Sequence, residues 1–511
     1  MRLTPNTSLA TWLAAASLIA LTACHPGPAT SDTTDSKAVR HLGKLAFEPC
    51  TLASPYGNGN LEAQCGTLQV AENPQAPQGR KIALNIAWLP ATDEGSATPD
   101  PVFFLAGGPG QAATEHAVLI DMALREVRKQ RDVVLVDQRG TGKSNPLTCN
   151  DAEGESPSAS DIETMSDEAV RVETQRCVDA LSKRADLRYY TTTDAVRDLD
   201  AVRAAIGAEQ INLVGVSYGT RVAQQYAATH PTHTRSLVLD GVAPNTLVVG
   251  GEFAWRFDES LDRQSRACAA DPACHKRYPT DLRARLLALK QRLAQAPVEV
   301  DYRDPSTGEQ KHGTLTSSTV TGLSHAFSYM PATMSLLPLV IDEADQGRYG
   351  PLMSLAQFME GQVSGQMARG MQLSVVCAED ADRYQPDPAD ANTVMGADLA
   401  RLFFSPCAAW PKGARPATFN APLKSQVPAL LMSGELDPVT PPSYAEQVVQ
   451  GLPKGRHFVL HGQGHNVIAQ GCMPKLVGQF IETGDAKALD GKCLDSIDGT
   501  PAFTGFNGWE P

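Results

Sequence analysis

Along two stretches of the chain, short apolar runs ending at glycine or polar turns alternate with segments whose apolar residues recur every third or fourth position. Uninterrupted apolar runs read as strands buried on both faces, and the longer spacing reads as crossover helices. The runs are Val102–Ala106, Val133–Asp137, Ile211–Val216, Ser236–Asp240 and Val427–Ser433, with a shorter sixth at His457–Leu460. Before the third run, Val196, Leu199, Val202 and Ile206 keep helical spacing, with Thr193 as the expected cap and Gly207 as the stop. This order predicts an α/β fold with a mostly parallel sheet and flanking helices.

From Pro244 to Met371 the alternation breaks. A helical pattern at Asp281–Ala296, a short Cys268–Cys274 loop and a polar turn at Pro305–Gly308 read as an inserted, mainly helical cap over 244–371. It divides the core into 41–243 and 372–511. Six of the 12 methionines lie between Met330 and Met371. Such adaptable side chains fill gaps in a loose core, or form a pliable wall over a cleft.

The start of the chain reads as a targeting segment. Arg2 precedes the apolar stretch Leu9–Leu21, which is too short to cross a bilayer easily. Leu21, Thr22, Ala23 and Cys24 resemble a bacterial lipobox, so residues 1–23 are the expected signal peptide and Cys24 the lipidated first residue. A plain secretory signal with an incidental cysteine is the alternative. Residues 24–40 form a polar tether, and His25 after the cysteine suits an outer-membrane lipoprotein or cell-surface location.

Setting Cys24 aside leaves ten of 11 cysteines, an even number in an exported chain, which predicts disulfides. Nearest-neighbour pairing joins Cys50 to Cys65, Cys149 to Cys177, Cys268 to Cys274, Cys377 to Cys407 and Cys472 to Cys493. A metal is not expected, because no CxxC or HExxH occurs and the histidines are not clustered at ligand spacing. The net charge of −13 repels phosphate backbones, so nucleic acid is not an expected partner.

The candidate chemistry centres on Gly215–Gly219, GVSYG. A serine at the apex of a sharp strand-to-helix turn needs small residues two before and two after it, and Gly215 and Gly219 provide them around Ser217. A serine hydroxyl is a weak nucleophile near neutral pH, so a base and an orienting acid are required. Asp437 follows a strand, and His465 lies on a glycine-flanked loop after the next one. Asp240 is the rival acid and His461 the rival base, while Glu435 is expected to face solvent. For the oxyanion, backbone N–H groups are expected from Tyr218, after the nucleophile, and from Gly108 in AGGPG.

Five motifs together carry a resemblance: GGPG, VDQRGTGKS at Val136–Ser144, GVSYG, GELDPVTPP at Gly434–Pro442 and GQGH at Gly462–His465. They resemble the tripeptidyl and prolyl aminopeptidase group of α/β-hydrolases, including secreted bacterial members with a characteristic C-terminal segment. Ala106 stands where prolyl aminopeptidases usually carry histidine, which favours the tripeptidyl branch. The resemblance implies a Ser217, Asp437, His465 triad, no cofactor, and release of short pieces from the free N-terminus of peptides. It also implies an anionic anchor for the substrate ammonium, for which Glu379 or Asp380 in SVVCAED are candidates; two solvated surface acids beside a disulfide are the alternative. A carboxylesterase or lipase would use the same triad. A non-catalytic binding lipoprotein is the remaining alternative, and Ser217 excludes the related chemistry that uses an aspartate nucleophile.

Overall fold

The computed structural model describes residues 39–55, 57, 59–149, 165–363 and 367–508. Its strands are β1 (Arg40–Leu42), β2 (Leu45–Ala53), β3 (Asn60–Ala71), β4 (Lys81–Leu89), β5 (Val102–Leu105), β6 (Val133–Val136), β7 (Ile211–Val216), β8 (Thr234–Asp240), β9 (Val298–Arg303), β10 (Gln310–Leu315), β11 (Ala429–Gly434) and β12 (Gly455–Leu460). Ten of them make one sheet in the order β1-β2-β3-β4-β6-β5-β7-β8-β11-β12. From β6 to β12 all neighbours are parallel. The six apolar runs of the sequence supply this half.

Adjacent residues of these strands enter opposite cores. Phe103, Leu213, Leu237 and Leu431 pack on one face, and Phe104, Val214, Val238 and Leu430 on the other. Both faces are apolar because helices cover both. The first core also takes in Leu286 and Phe327 of the insertion, which ties that segment to the sheet.

The antiparallel strands β1–β4 are absent from the sequence-based expectation. Residues of β2 alternate between buried and exposed along much of its length, those of β3 are mostly half-buried, and the apolar run of β4 is broken by Asn85. The expected helix cap also moves, from Thr193 to Thr191. Only Thr191 has an acid three residues on, and Thr191 and Asp194 bond reciprocally as a capping box. Gly207 ends the helix in the left-handed region, as expected.

The insertion lies between β8 and β11 and is mainly helical, with helices that include Phe253–Ala270, Leu282–Gln295 and Ser317–Ser328. The polar turn at Pro305–Gly308 joins β9 to β10, a hairpin that the helical expectation lacked. The expected boundary at residue 371 falls inside the helix Arg369–Glu379.

All five nearest-neighbour disulfides are present. Such bonds persist in oxidising compartments, so they suit an exported protein. The signal segment, Cys24 and most of the tether lie outside the described residues. Among the described residues, no helix is long and apolar enough to cross a membrane.

Candidate active site

Successive parallel strands end at one edge of the sheet, and the candidate groups sit just beyond those ends. Gly108 follows β5, Ser217 follows β7, Asp437 follows β11 and His465 follows β12. A crevice at that edge is where open α/β sheets hold ligands.

Ser217 has φ 56° and ψ −125°, a strained conformation for a residue with a side chain. The tight turn explains the glycines. A Cβ on Gly219 would lie 2.1 Å from the Leu105 carbonyl oxygen, and one on Gly215 would lie 2.5 Å from that of Gly219. The Ser217 N–H donates to the Asp240 carbonyl at 2.8 Å, which fixes the turn to the end of β8.

The same strand end borders the candidate base. A Cβ on Gly241 would lie 3.0 Å from Cε1 of His465, the atom between its two ring nitrogens. His465 Nδ1 is 2.7 Å from Asp437 Oδ2, and both residues are buried. Asp437 Oδ1 accepts from the N–H groups of Val439 (2.9 Å) and Thr440 (2.8 Å), so its own turn aims the carboxylate. Thr440 Oγ1 donates to Asp437 Oδ2 at 2.8 Å and lies 3.1 Å from His465 Nδ1.

Burial alone would push the Asp437 carboxyl up, but His465 and the two N–H donors outweigh it and hold it below the usual range. Burial alone would pull the His465 imidazole down, yet the Asp437 carboxylate lifts it above its ordinary value. A base works only when neutral, so activity should fall as pH drops through that raised value. The acid limb of kcat/KM is therefore expected to have its midpoint above about 6.5, the ordinary imidazole value. Asp437→Asn should move the midpoint of the residual activity to lower pH. A pH–rate profile with the limb at or below the ordinary value contradicts this arrangement.

The rivals take other positions. Asp240 does not meet His465 Nδ1; its carboxylate accepts from Val467 N (2.8 Å) and Ile468 N (2.9 Å) and so holds the loop that carries His465. Burial pushes its carboxyl up to about 6 against those donors. His461 pairs with Glu435 at 2.6 Å, and its side chain is 72% exposed. Glu435 is partly exposed and also accepts from Gly462 N.

Tyr218 opens the helix Tyr218–Thr229, and first-turn N–H groups have no intrahelical acceptor. Across from it, a Cβ on Gly107 would lie 3.1 Å from Ser217 Cβ, so the GGPG turn adjoins Ser217. Gly108 has φ 107°, open to glycine and strained for other residues. Met367 Sδ lies against this turn, 3.1 Å from where a Gly108 Cβ would stand. The methionines thus divide: Met334, Met353 and Met371 fill cores, whereas Met367 covers the turn.

Glu379 and Asp380 are both fully buried. Asp380 is bound by Arg221 (2.9 Å) and Arg383 (2.6 Å). Glu379 Oε1 accepts from Thr192 N at 2.7 Å, and its Oε2 is hydrogen-bonded to the Thr192 hydroxyl at 2.9 Å. Burial pushes the Glu379 carboxyl up to about 8, against the lowering effect of Arg221 and of the Thr192 donors.

Among the described residues, Asp200, His230 and His233 bring possible ligand atoms within 4.8 Å of one another, a grouping the sequence reading missed. Asp200 Oδ1 already accepts from Arg203 (2.6 Å) and Tyr226 (2.9 Å), and is 2.8 Å from His233 Nδ1. The guanidinium supplies the positive charge that this carboxylate needs.

Two further contributors were missed. The D-x-x-T spacing of Asp437 and Thr440 was a readable turn signal. Tyr329 had none: this residue of the insertion accepts the His465 N–H on its carbonyl at 2.7 Å and packs its ring edge-on against the imidazole.

A family model described as the alpha/beta hydrolase fold matches residues 100–471, well over half of the chain. Serine protease Hip1 of Mycobacterium tuberculosis is 27% identical over 489 residues, covering 88% of this chain and 91% of the relative. The tripeptidyl aminopeptidase of Streptomyces lividans is 29% identical over 188 residues, 35% of either chain. Among solved structures, the proline iminopeptidase of Mycobacterium smegmatis has 15% identity and a TM-score of 0.42, covering 83% of this chain and 100% of that one.

Proposed function

The chain belongs to the alpha/beta hydrolase fold family, and on that premise we propose that it is an exported serine exopeptidase releasing short pieces from the free N-terminus of peptides. The observation that carries this reading is that the strained Ser217 and the buried Asp437–His465 pair both border the end of β8. Ser217 Oγ attacks the scissile carbonyl while His465 Nε2 takes its proton, and the Asp437 carboxylate stabilises the imidazolium that forms. The N–H groups of Tyr218 and Gly108 receive the oxyanion. His465 then protonates the leaving amine, and water releases the acyl group from Ser217 by the same steps.

The names of the relatives support peptides as the substrate class. The five disulfides support export, with Cys24 as the lipid anchor to the outer membrane. An insertion over the sheet edge limits how many residues fit beyond the scissile bond, which suits an exopeptidase. A tripeptide arylamide with a free N-terminus is expected to be cleaved at least about tenfold faster than its acetylated form, the size of one charge-assisted hydrogen bond. Equal rates on the two peptides, or turnover of aryl esters only, would replace this reading with a carboxylesterase.

A further inference from the structure

We propose that Glu379 is a positioning residue, which acts through Thr192 and the Tyr218 phenol to fix the backbone amide that faces the oxyanion. The proposal rests on the reading of Ser217 as nucleophile. It assigns Glu379 to the support of the elbow rather than to the substrate amine.

The chain of contacts is continuous. Glu379 ends the helix Arg369–Glu379 and holds Thr192 at both backbone N–H (2.7 Å) and hydroxyl (2.9 Å). Thr192 Oγ1 is 2.6 Å from the Tyr218 hydroxyl, which also accepts from Gln138 Nε2 at 3.3 Å. Four segments are thereby joined: the helix returning from the insertion, the first turn of the helix Thr192–Ile206, the elbow and the loop after β6. Tyr218 is pinned at the far end of its side chain, while its N–H group sits at the reacting end.

Each link has a local cause. Thr192 opens its helix, so its N–H lacks an intrahelical acceptor, and an acceptor from another segment completes it. Glu379, Thr192 and Tyr218 are at most 2% exposed, and a buried polar chain of this kind specifies geometry when every member is bonded. The neighbouring Asp380 has a different task. With Arg221 and Arg383 it ties the elbow helix to the Leu247 carbonyl, which both guanidiniums also reach. A small displacement of an oxyanion donor lowers turnover much more than substrate binding, because the donor is needed most in the transition state.

The test uses a small neutral aryl ester together with the free and acetylated tripeptide arylamides. E379A and Y218F are each expected to lower kcat on the ester at least about tenfold, about 1.4 kcal/mol of barrier, with KM within about threefold. E379Q keeps an acceptor for the Thr192 N–H and should recover most of what E379A loses. The ratio of free to acetylated peptide cleavage should be the same in all three variants as in the wild type. Wild-type ester turnover in folded E379A overturns the proposal. So does a collapsed free-to-acetylated ratio with ester turnover intact, which would make Glu379 the amine anchor. Should E379A fail to fold, Y218F decides, since it removes a single hydroxyl at the other end of the chain. If S217A itself keeps its turnover, the nucleophile reading fails separately, whatever the Glu379 variants do.

Discussion

Ser217→Ala is expected to lower turnover of any acyl substrate by a factor on the order of 10⁶ while leaving the fold intact. On the proposed reading the hydroxyl is the attacking group, and no other group at the elbow would replace it. Alanine fits the space, because the crowding at this turn falls on Gly215 and Gly219 rather than on the Ser217 side chain. The backbone bond from residue 217 to the Asp240 carbonyl survives the change. Purified variant and wild type should share a thermal transition and a circular dichroism spectrum. A loss of less than about tenfold in the folded variant places the nucleophile elsewhere.

The second large effect separates the two buried aspartates. Asp437→Asn should reduce kcat by about 10⁴, because an amide neither stabilises the imidazolium nor holds the right tautomer of His465. Asp240→Asn should cost far less, about ten- to a hundredfold. Its amide keeps one oxygen for the N–H groups of Val467 and Ile468, and the loss is that of a loop held less firmly. Measured side by side on one substrate, the order of the two losses decides the matter. A dead Asp240 variant beside a normally active Asp437 variant moves the acid to the earlier strand.

Most of the parallel half of the sheet was legible because strands buried on both faces are apolar at nearly every position; β12, at the edge of the sheet, is mostly half-buried and shows only a short run. Strands β1–β4 were not legible because none presents an unbroken apolar run along its length. Strands β2 and β3 carry polar residues among their apolar ones and are cross-linked by the Cys50–Cys65 disulfide, while β4 is largely buried but its apolar run is broken by Asn85. Asp437 and His465 were found by their place after strands. Asp240 stayed a rival because it too ends a strand, and only a distance separates the two roles.

What the sequence determined by itself is what depends on local spacing and composition: the elbow glycines around Ser217, the places of Asp437 and His465 after strands, the runs that become the parallel strands, and the even set of cysteines that predicts disulfides. These are constraints within a few residues, or a count over the whole chain. What the tertiary structure decided is which distant groups meet. It joined Asp437 rather than Asp240 to His465, set Tyr329 of the insertion against that imidazole, and enclosed Glu379 with Thr192 and Tyr218 instead of leaving it at a surface. Hydrogen bonds act only within about 3 Å, and which far-separated residues come that close is set by how the layers pack, which no local pattern encodes.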